Sequence, residues 1–314
     1  MIRLHRRSFV IGAAAIATSP ALSQGREKAR IGVLPTMGAG PMYLAKANGH
    51  FAAEGLDVEI TKFDNAQTLA VSLAAGELEF GATSLAVGFY NLAAQGVMRI
   101  IAAQARDNPG FPNNGLVASN EAWEKGLRAF RDIKGKSVGV STLGSAPHYC
   151  IGLIADKYGF PMSSVDVQTL KTNPNIVATI AANRIDAVIT PNTFALSIDR
   201  NKQGKLIGWV GDEAAWQLGA AYTSTKIADG RREFVNRFVR AYKRGMVDYA
   251  DAFIGADGKR RDGATADATL AILSKDLDQP AELLRAGVAY VDREARLRSE
   301  EHTSELQSLA YLVC

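Results

Sequence analysis

The sequence predicts an α/β fold divided into two lobes. Strand-like runs alternate with helix-like runs, a dense cluster of turn formers interrupts them once, and the alternation then starts again. At 314 residues the chain suits two lobes of ordinary size better than one. Apolar residues make up 47% and charged residues 22%, which is sufficient for a packed core.

Residues 29–34 read as a strand, 35–41 as a Gly/Pro loop and 42–53 as a helix that Gly55 ends. A strand over 58–63 precedes a helix over 66–75, which Gly76 stops. Residues 78–82 form a short strand, 85–94 a helix and 98–104 another strand. Strands separated by helices imply a mostly parallel sheet covered on both faces. Residues 107–115, rich in Pro, Gly and Asn, are the clearest break. Beyond them 116–119 is extended, 133–136 is a turn, and 137–141, 165–170 and 186–190 read as strands. Helices at 147–158 and 176–183 lie between those strands. Extended stretches at 206–210 and 222–225 lead to long amphipathic helices at 232–253 and 264–275.

The economical arrangement inserts lobe 2 (109–210) between two parts of lobe 1 (24–108 and 211–297). The two crossings, near 105–115 and 205–221, then form a hinge. In open sheets ligands bind beyond the carboxyl ends of the strands, so the strand-to-helix loops of both lobes are expected to face one cleft.

The two ends are set apart. Residues 1–23 carry Arg6 and Arg7, an apolar run over 11–17 and small residues before a cut after Ser23, the order of a signal peptide. The paired arginines followed by Phe9 are similar to a twin-arginine export signal, an ordinary secretion signal being the alternative. Export implies the periplasm. Residues 298–314 read as the translation of a DNA-sequencing adapter beginning AGA TCG GAA GAG CAC ACG, an artefactual tail.

Composition narrows the partners. The formal net charge is only +4, with no run of Lys/Arg interleaved with aromatics, so nucleic acid is a poor partner. Outside the tail Cys150 is the sole cysteine; it reads as a small core residue on a helix. Two of the four histidines, His5 and His302, lie in the terminal segments, leaving no zinc triad, and no metal or cofactor is expected. No GxSxG elbow, P-loop or Rossmann glycine pattern occurs.

Four phrases in order carry a family resemblance. They are Gly40-Pro41-Met42-Tyr43-Leu44-Ala45 with Gly49-His50-Phe51-Ala52-Ala53-Glu54-Gly55-Leu56-Asp57-Val58; Leu73-Ala74-Ala75-Gly76-Glu77-Leu78-Glu79-Phe80-Gly81; Asp132-Ile133-Lys134-Gly135-Lys136-Ser137-Val138; and Ala181-Ala182-Asn183-Arg184-Ile185-Asp186-Ala187-Val188. Over about residues 30–253 the chain resembles nitrate/sulfonate/taurine-type solute-binding proteins of ABC transporters. The resemblance implies a two-lobed, periplasmic-binding-protein-like (type II) fold with a hinge. It also implies a monomer that captures a small solute, acid-bearing or pyrimidine-like, and delivers it to an ABC permease with its ATPase. Eukaryotic thiamine-pyrimidine synthases resemble this family too, which makes an enzyme on the same fold the alternative. Those enzymes use a cysteine cluster that is absent here.

Small-residue loops between strand and helix offer backbone N–H groups and positive helix ends to acid groups. Three such loops supply candidate binding residues: Thr36, Met37, Gly38 and Gly40; Thr83 and Ser84; Ser141, Thr142, Gly144 and Ser145. Their hydroxyls can equally cap helices. The resemblance favours Gly144-Ser145. Asn65 and Gln67, Gln104 and Arg106, His148, and Pro191, Asn192 and Thr193 lie at other strand ends. Arg106 suits either an anion or a structural ion pair. Relatives often carry an acidic or aromatic residue near position 192, so Asn192 implies a different ligand polarity. Tyr43, Tyr149, Phe194 and Trp216 suit the core better than ring stacking.

Overall fold

The computed structural model describes residues 25–297. The signal-peptide and tail assignments lie outside the described residues.

Lobe 1 opens with β1 (Glu27–Val33), α1 (Gly40–Ala47), α2 (His50–Ala53), β2 (Leu56–Lys62), α3 (Ala66–Ala74), β3 (Phe80–Ser84), α4 (Val87–Ala94) and β4 (Met98–Ala103). The single helix expected over 42–53 is broken in two because Gly49 turns the chain at φ +74°, in the left-handed region. A short strand, β5 (Ala105–Arg106), leads out of the lobe.

Lobe 2 comprises β6 (Asn114–Ala118), α5 (Asn120–Glu124), β7 (Ser137–Val140), α6 (Ala146–Tyr158), β8 (Asp166–Thr169), α7 (Asn173–Ala181), β9 (Ala187–Pro191), α8 (Asn192–Arg200), β10 (Lys205–Trp209) and α9 (Val210–Glu213). The chain then returns to lobe 1 through β11 (Gly219–Ser224), followed by α10 (Thr225–Gly230), α11 (Arg232–Phe253), α12 (Ala266–Leu277), α13 (Ala281–Ala286) and β12 (Tyr290–Val291).

The sheet of lobe 1 has the order β2-β1-β3-β11-β4 and that of lobe 2 the order β10-β6-β9-β7-β8. The sheets are mixed, where mostly parallel ones were expected. In lobe 1 β11 runs antiparallel to both β3 and β4. In lobe 2 β6 runs antiparallel to both β9 and β10. The cause is topological: β6 and β11 are the strands that enter each lobe from the crossings. They start at the cleft end of the sheet, where the other strands finish, and so run the opposite way.

The crossings are fastened together. Asp107 and Trp216 exchange backbone hydrogen bonds of 3.0 and 3.1 Å, and Trp216 Nε1 donates to Asp107 Oδ2 at 2.7 Å. Beside them β12 pairs antiparallel with β5, placing Tyr290 opposite Arg106. In lobe 1 α11 packs across α1 so closely that a Cβ on Gly245 would lie 2.1 Å from the Pro41 carbonyl oxygen. Its Phe238 ring stacks on Phe80 at 3.8 Å between centroids. Cys150 is fully buried, and burial pushes its thiol pKa well up.

Candidate functional site

A cleft lies between the lobes. Lobe 1 lines it at the ends of four strands: Leu34, Thr36 and Gly38 after β1; Asp64, Asn65 and Ala66 after β2; Thr83 and Ser84 on β3; and Gln104 after β4. Lobe 2 contributes Ser141, Ser145, Ala146 and Pro147 after β7, Asn173 and Ile176 on α7, and Pro191 at the end of β9. The two reversed strands line it from their starts instead, with Asn113 and Asn114 at β6 and Leu218 just before β11.

Three of the helices that begin at this cleft are capped by side chains. Asn65 Oδ1 accepts from Thr68 N–H at 3.0 Å at the start of α3, and Ser145 Oγ accepts from His148 N–H at 3.4 Å at the start of α6. Thr172 Oγ1 accepts from Asn175 N–H at the start of α7. Capping occupies one of the unpaired N–H groups and leaves the positive end of each helix toward the cleft. Replacing Asn65 with Ala is expected to lower stability by about 1 kcal/mol, read in a urea melt; an unchanged midpoint would contradict the cap.

Of the residues singled out in the sequence, Thr36, Gly38, Asn65, Thr83, Ser84, Gln104, Ser141, Ser145 and Pro191 line the cleft. The others stand elsewhere for identifiable reasons. Met37 is fully buried in the core. Gly40 lets α1 approach α11, since a Cβ there would meet the Tyr249 ring at 2.8 Å. Gln67 lays its carboxamide against Gly88 at the start of α4. Arg106 is buried at the hinge, its carbonyl accepting from Asn113 Nδ2. Thr142 belongs to the turn before α6, its carbonyl accepting from Ser145 N–H.

Gly144 spans the lobes rather than lining the cleft. Its carbonyl accepts from Val87 N–H, at the start of α4, at 2.8 Å. Its Cα faces the Val87 side chain so closely that a Cβ would sit 2.5 Å from it. Its own N–H donates to His148 Nδ1 at 2.8 Å. The His148 side chain is thereby committed to the turn, and burial holds its pKa below the ordinary value, in keeping with a neutral acceptor.

Asn192 is also a tether. Its Nδ2 donates to the carbonyls of Pro112 and Gly287, and its Oδ1 accepts from Thr193 N–H. With these bonds made and 1% of its surface exposed, Asn192 is absent from the cleft wall, and Thr193 is buried with it.

The sequence reading missed Asp64, Asn113, Asn114 and Asn173 among the polar lining residues. Asn113 and Asn114 sit in the turn-rich break, where their composition signals only a linker. Among the described lining residues Asp64 alone is ionisable.

At the hinge Asp107 accepts from Asn114 Nδ2 at 2.9 Å as well as from Trp216. Burial pushes its pKa up to about 6, against the lowering effect of those two donors. Among the described residues no group of three or more His, Cys, Asp or Glu is placed to hold a metal ion. No described helix is long and apolar enough to cross a membrane.

Solved structures of the same architecture are numerous. The alkanesulfonate-binding protein SsuA from Xanthomonas axonopodis pv. citri, bound to MOPS, aligns with a TM-score of 0.72 at 16% identity, over 91% of each chain. The ligand-binding component of an ABC-type import system from Staphylococcus aureus, with zinc bound, aligns at 0.72 and 13% identity over 91% of each chain. The nitrate-binding protein NrtA from Synechocystis PCC 6803 aligns at 0.68 and 15% identity, over 91% of this chain and 80% of that one. Identities this low establish the shared two-lobed fold alone. No curated protein sequence matches the chain. The model of the NMT1/THI5-like family matches residues 37–252, most of the chain, and the protein belongs to that family.

Proposed function

We propose that this protein is the extracytoplasmic solute-binding component of an ABC importer. It captures a small, acid-bearing solute between its lobes and presents the closed form to a membrane permease with its ATPase. The observation that carries this reading is a cleft built from strand ends of both sheets and bridged by the Val87–Gly144 hydrogen bond. A solute touching both walls stabilises closure by its extra affinity for the closed arrangement, which is what a transporter can read. Sulfonate and nitrate binding by the structural neighbours supports the same class of solute. Export by the signal in residues 1–23, with 24–108 and 211–297 forming one lobe and 109–210 the other, completes the reading.

An enzyme on this fold has less support. The described lining residues include no histidine or cysteine to act beside Ser141 or Ser145, and Cys150 is buried away from the cleft.

The test is a thermal-shift titration with nitrate, small sulfonates, small carboxylates and pyrimidines. At least one is expected to raise the melting temperature saturably, since a hundredfold excess over Kd adds about 2.7 kcal/mol. A flat response to all of them would refute the proposal.

A further inference from the structure

The two crossings are not alone in linking the lobes. By sequence α13 belongs to the returning part of lobe 1, yet it packs against α8 of lobe 2 as well as against α12. The start of α8 meets the end of α13, where Asn192 Nδ2 donates to the Gly287 carbonyl. The end of α8 meets the start of α13, where Arg200 pairs with Glu282 at 2.9 Å. The two helices therefore lie antiparallel, with these contacts about 12 Å apart along the α8 axis.

Lobe 1 holds α13 from the other side. Arg285 pairs with Asp262 and with Asp267 of α12, and Arg260 donates to the carbonyls of Arg285 and Ala286. Leu284 is fully buried, and beyond Gly287 the chain continues into β12, which pairs with β5 at the hinge. Among the described lining residues of the cleft, none comes from α8 or α13.

We propose that α13 is a strap that keeps a share of the molecules closed before any solute enters the cleft. The inference goes beyond the solute-binding reading and holds whichever solute fills the cleft.

Both ends of the strap are fastened in the arrangement in which Gly144 is bonded to Val87. A swing that parts Gly144 from Val87 turns α8 relative to lobe 1, and α13 then cannot keep its partners on both lobes. Points far from a hinge travel furthest, so the Arg200 end of α8 is displaced more than the Asn192 end. The Arg200 and Glu282 side chains are 54% and 76% exposed, so that pair contributes little. Asn192 is buried, and drawing it away from the Gly287 carbonyl strips a buried acceptor of its donor. The buried bond therefore carries most of the hold. A larger closed share raises apparent affinity for solute in proportion.

Spin labels on opposite lobes test this without any solute. Val71→Cys and Lys134→Cys, both at exposed positions, would be labelled in the full chain with Cys314→Ser, Cys150 being too buried to react. Double electron–electron resonance reads the distance between lobes, and small-angle scattering of the same samples reads their spread. The parent protein is expected to show a closed share. Asn192→Ala is expected to lower the closed-to-open ratio about tenfold, and Glu282→Arg about threefold. Adding Arg200→Glu to Glu282→Arg should restore the parent ratio. These two positions are exposed, so the charge exchange reports on the strap even where Asn192→Ala fails to fold. A parent with no closed share, distances unchanged in the variants, a shift toward closure, or no recovery on exchanging the charges would each overturn the inference. None of these results touches the solute-binding reading, which stands or falls on the thermal-shift titration.

Discussion

Replacing Gly144 with Glu is expected to lower solute affinity at least about a hundredfold, or about 2.7 kcal/mol, while both lobes stay folded. Two physical effects combine. Gly144 sits at φ +72°, where a side chain strains the backbone by about 1–2 kcal/mol. Its Cβ would also lie 2.5 Å from Val87 Cγ2 and 2.7 Å from Val87 Cβ, on the opposite lobe. The clash is between lobes, so opening relieves it without disturbing either core. Binding then weakens by the fraction of molecules still able to close. Calorimetry on the tightest compound of the panel, with small-angle scattering to follow lobe opening, checks both halves of the expectation. Affinity within a fewfold of the parent protein would refute the bridging role. Gly144→Ala should fall between the two, and trimming Val87 to Ala in that background should restore part of the loss.

The second large effect is on stability against pH. Asp107 is wholly buried, and its pKa is about 6 in the folded protein against an ordinary value of 3.8. A pKa raised by folding means that the folded state holds the proton more tightly. The resulting stability is fully present below about pH 4 and is lost as pH rises through about 6. The span of roughly two pH units corresponds to about 3 kcal/mol. Asp107→Asn keeps an acceptor for Trp216 and Asn114 but removes the titration. The stability of the variant relative to the parent is therefore expected to fall by about that amount between pH 7.5 and pH 4, measured by urea melts across the range. Parallel pH profiles for the two proteins would show that Asp107 does not titrate there.

Much of this architecture is legible in the sequence because it is locally encoded. Strand and helix runs declare themselves by pattern, and the helix starts at Asn65 and Ser145 follow from ordinary capping chemistry. Thr83, Ser84 and Ser141, placed at strand ends by the sequence, line the cleft. What escaped depends on contacts between distant segments. The reversed direction of β6 and β11 follows from the route of the chain between lobes, which periodicity does not report. That reversal carries Asn113 and Asn114 from an unremarkable turn to the floor of the site. Gly144, expected from the sequence to bind solute, meets Val87 of the other lobe. Asn192 likewise ties lobe 2 to lobe 1 through the Gly287 carbonyl.

The segment between β5 and β6 has one more consequence. Asp107 fastens the crossings, Asn114 is bonded to Asp107, and Asn113 is bonded to the carbonyl of Arg106. The two asparagine amides that line the cleft are therefore mounted on the pivot itself. A molecule that pulls them out of register shifts the axis on which the lobes swing. Selectivity and mechanical response share one short piece of backbone, so evolving a taste for a new compound should alter the speed and extent of closing at the same stroke.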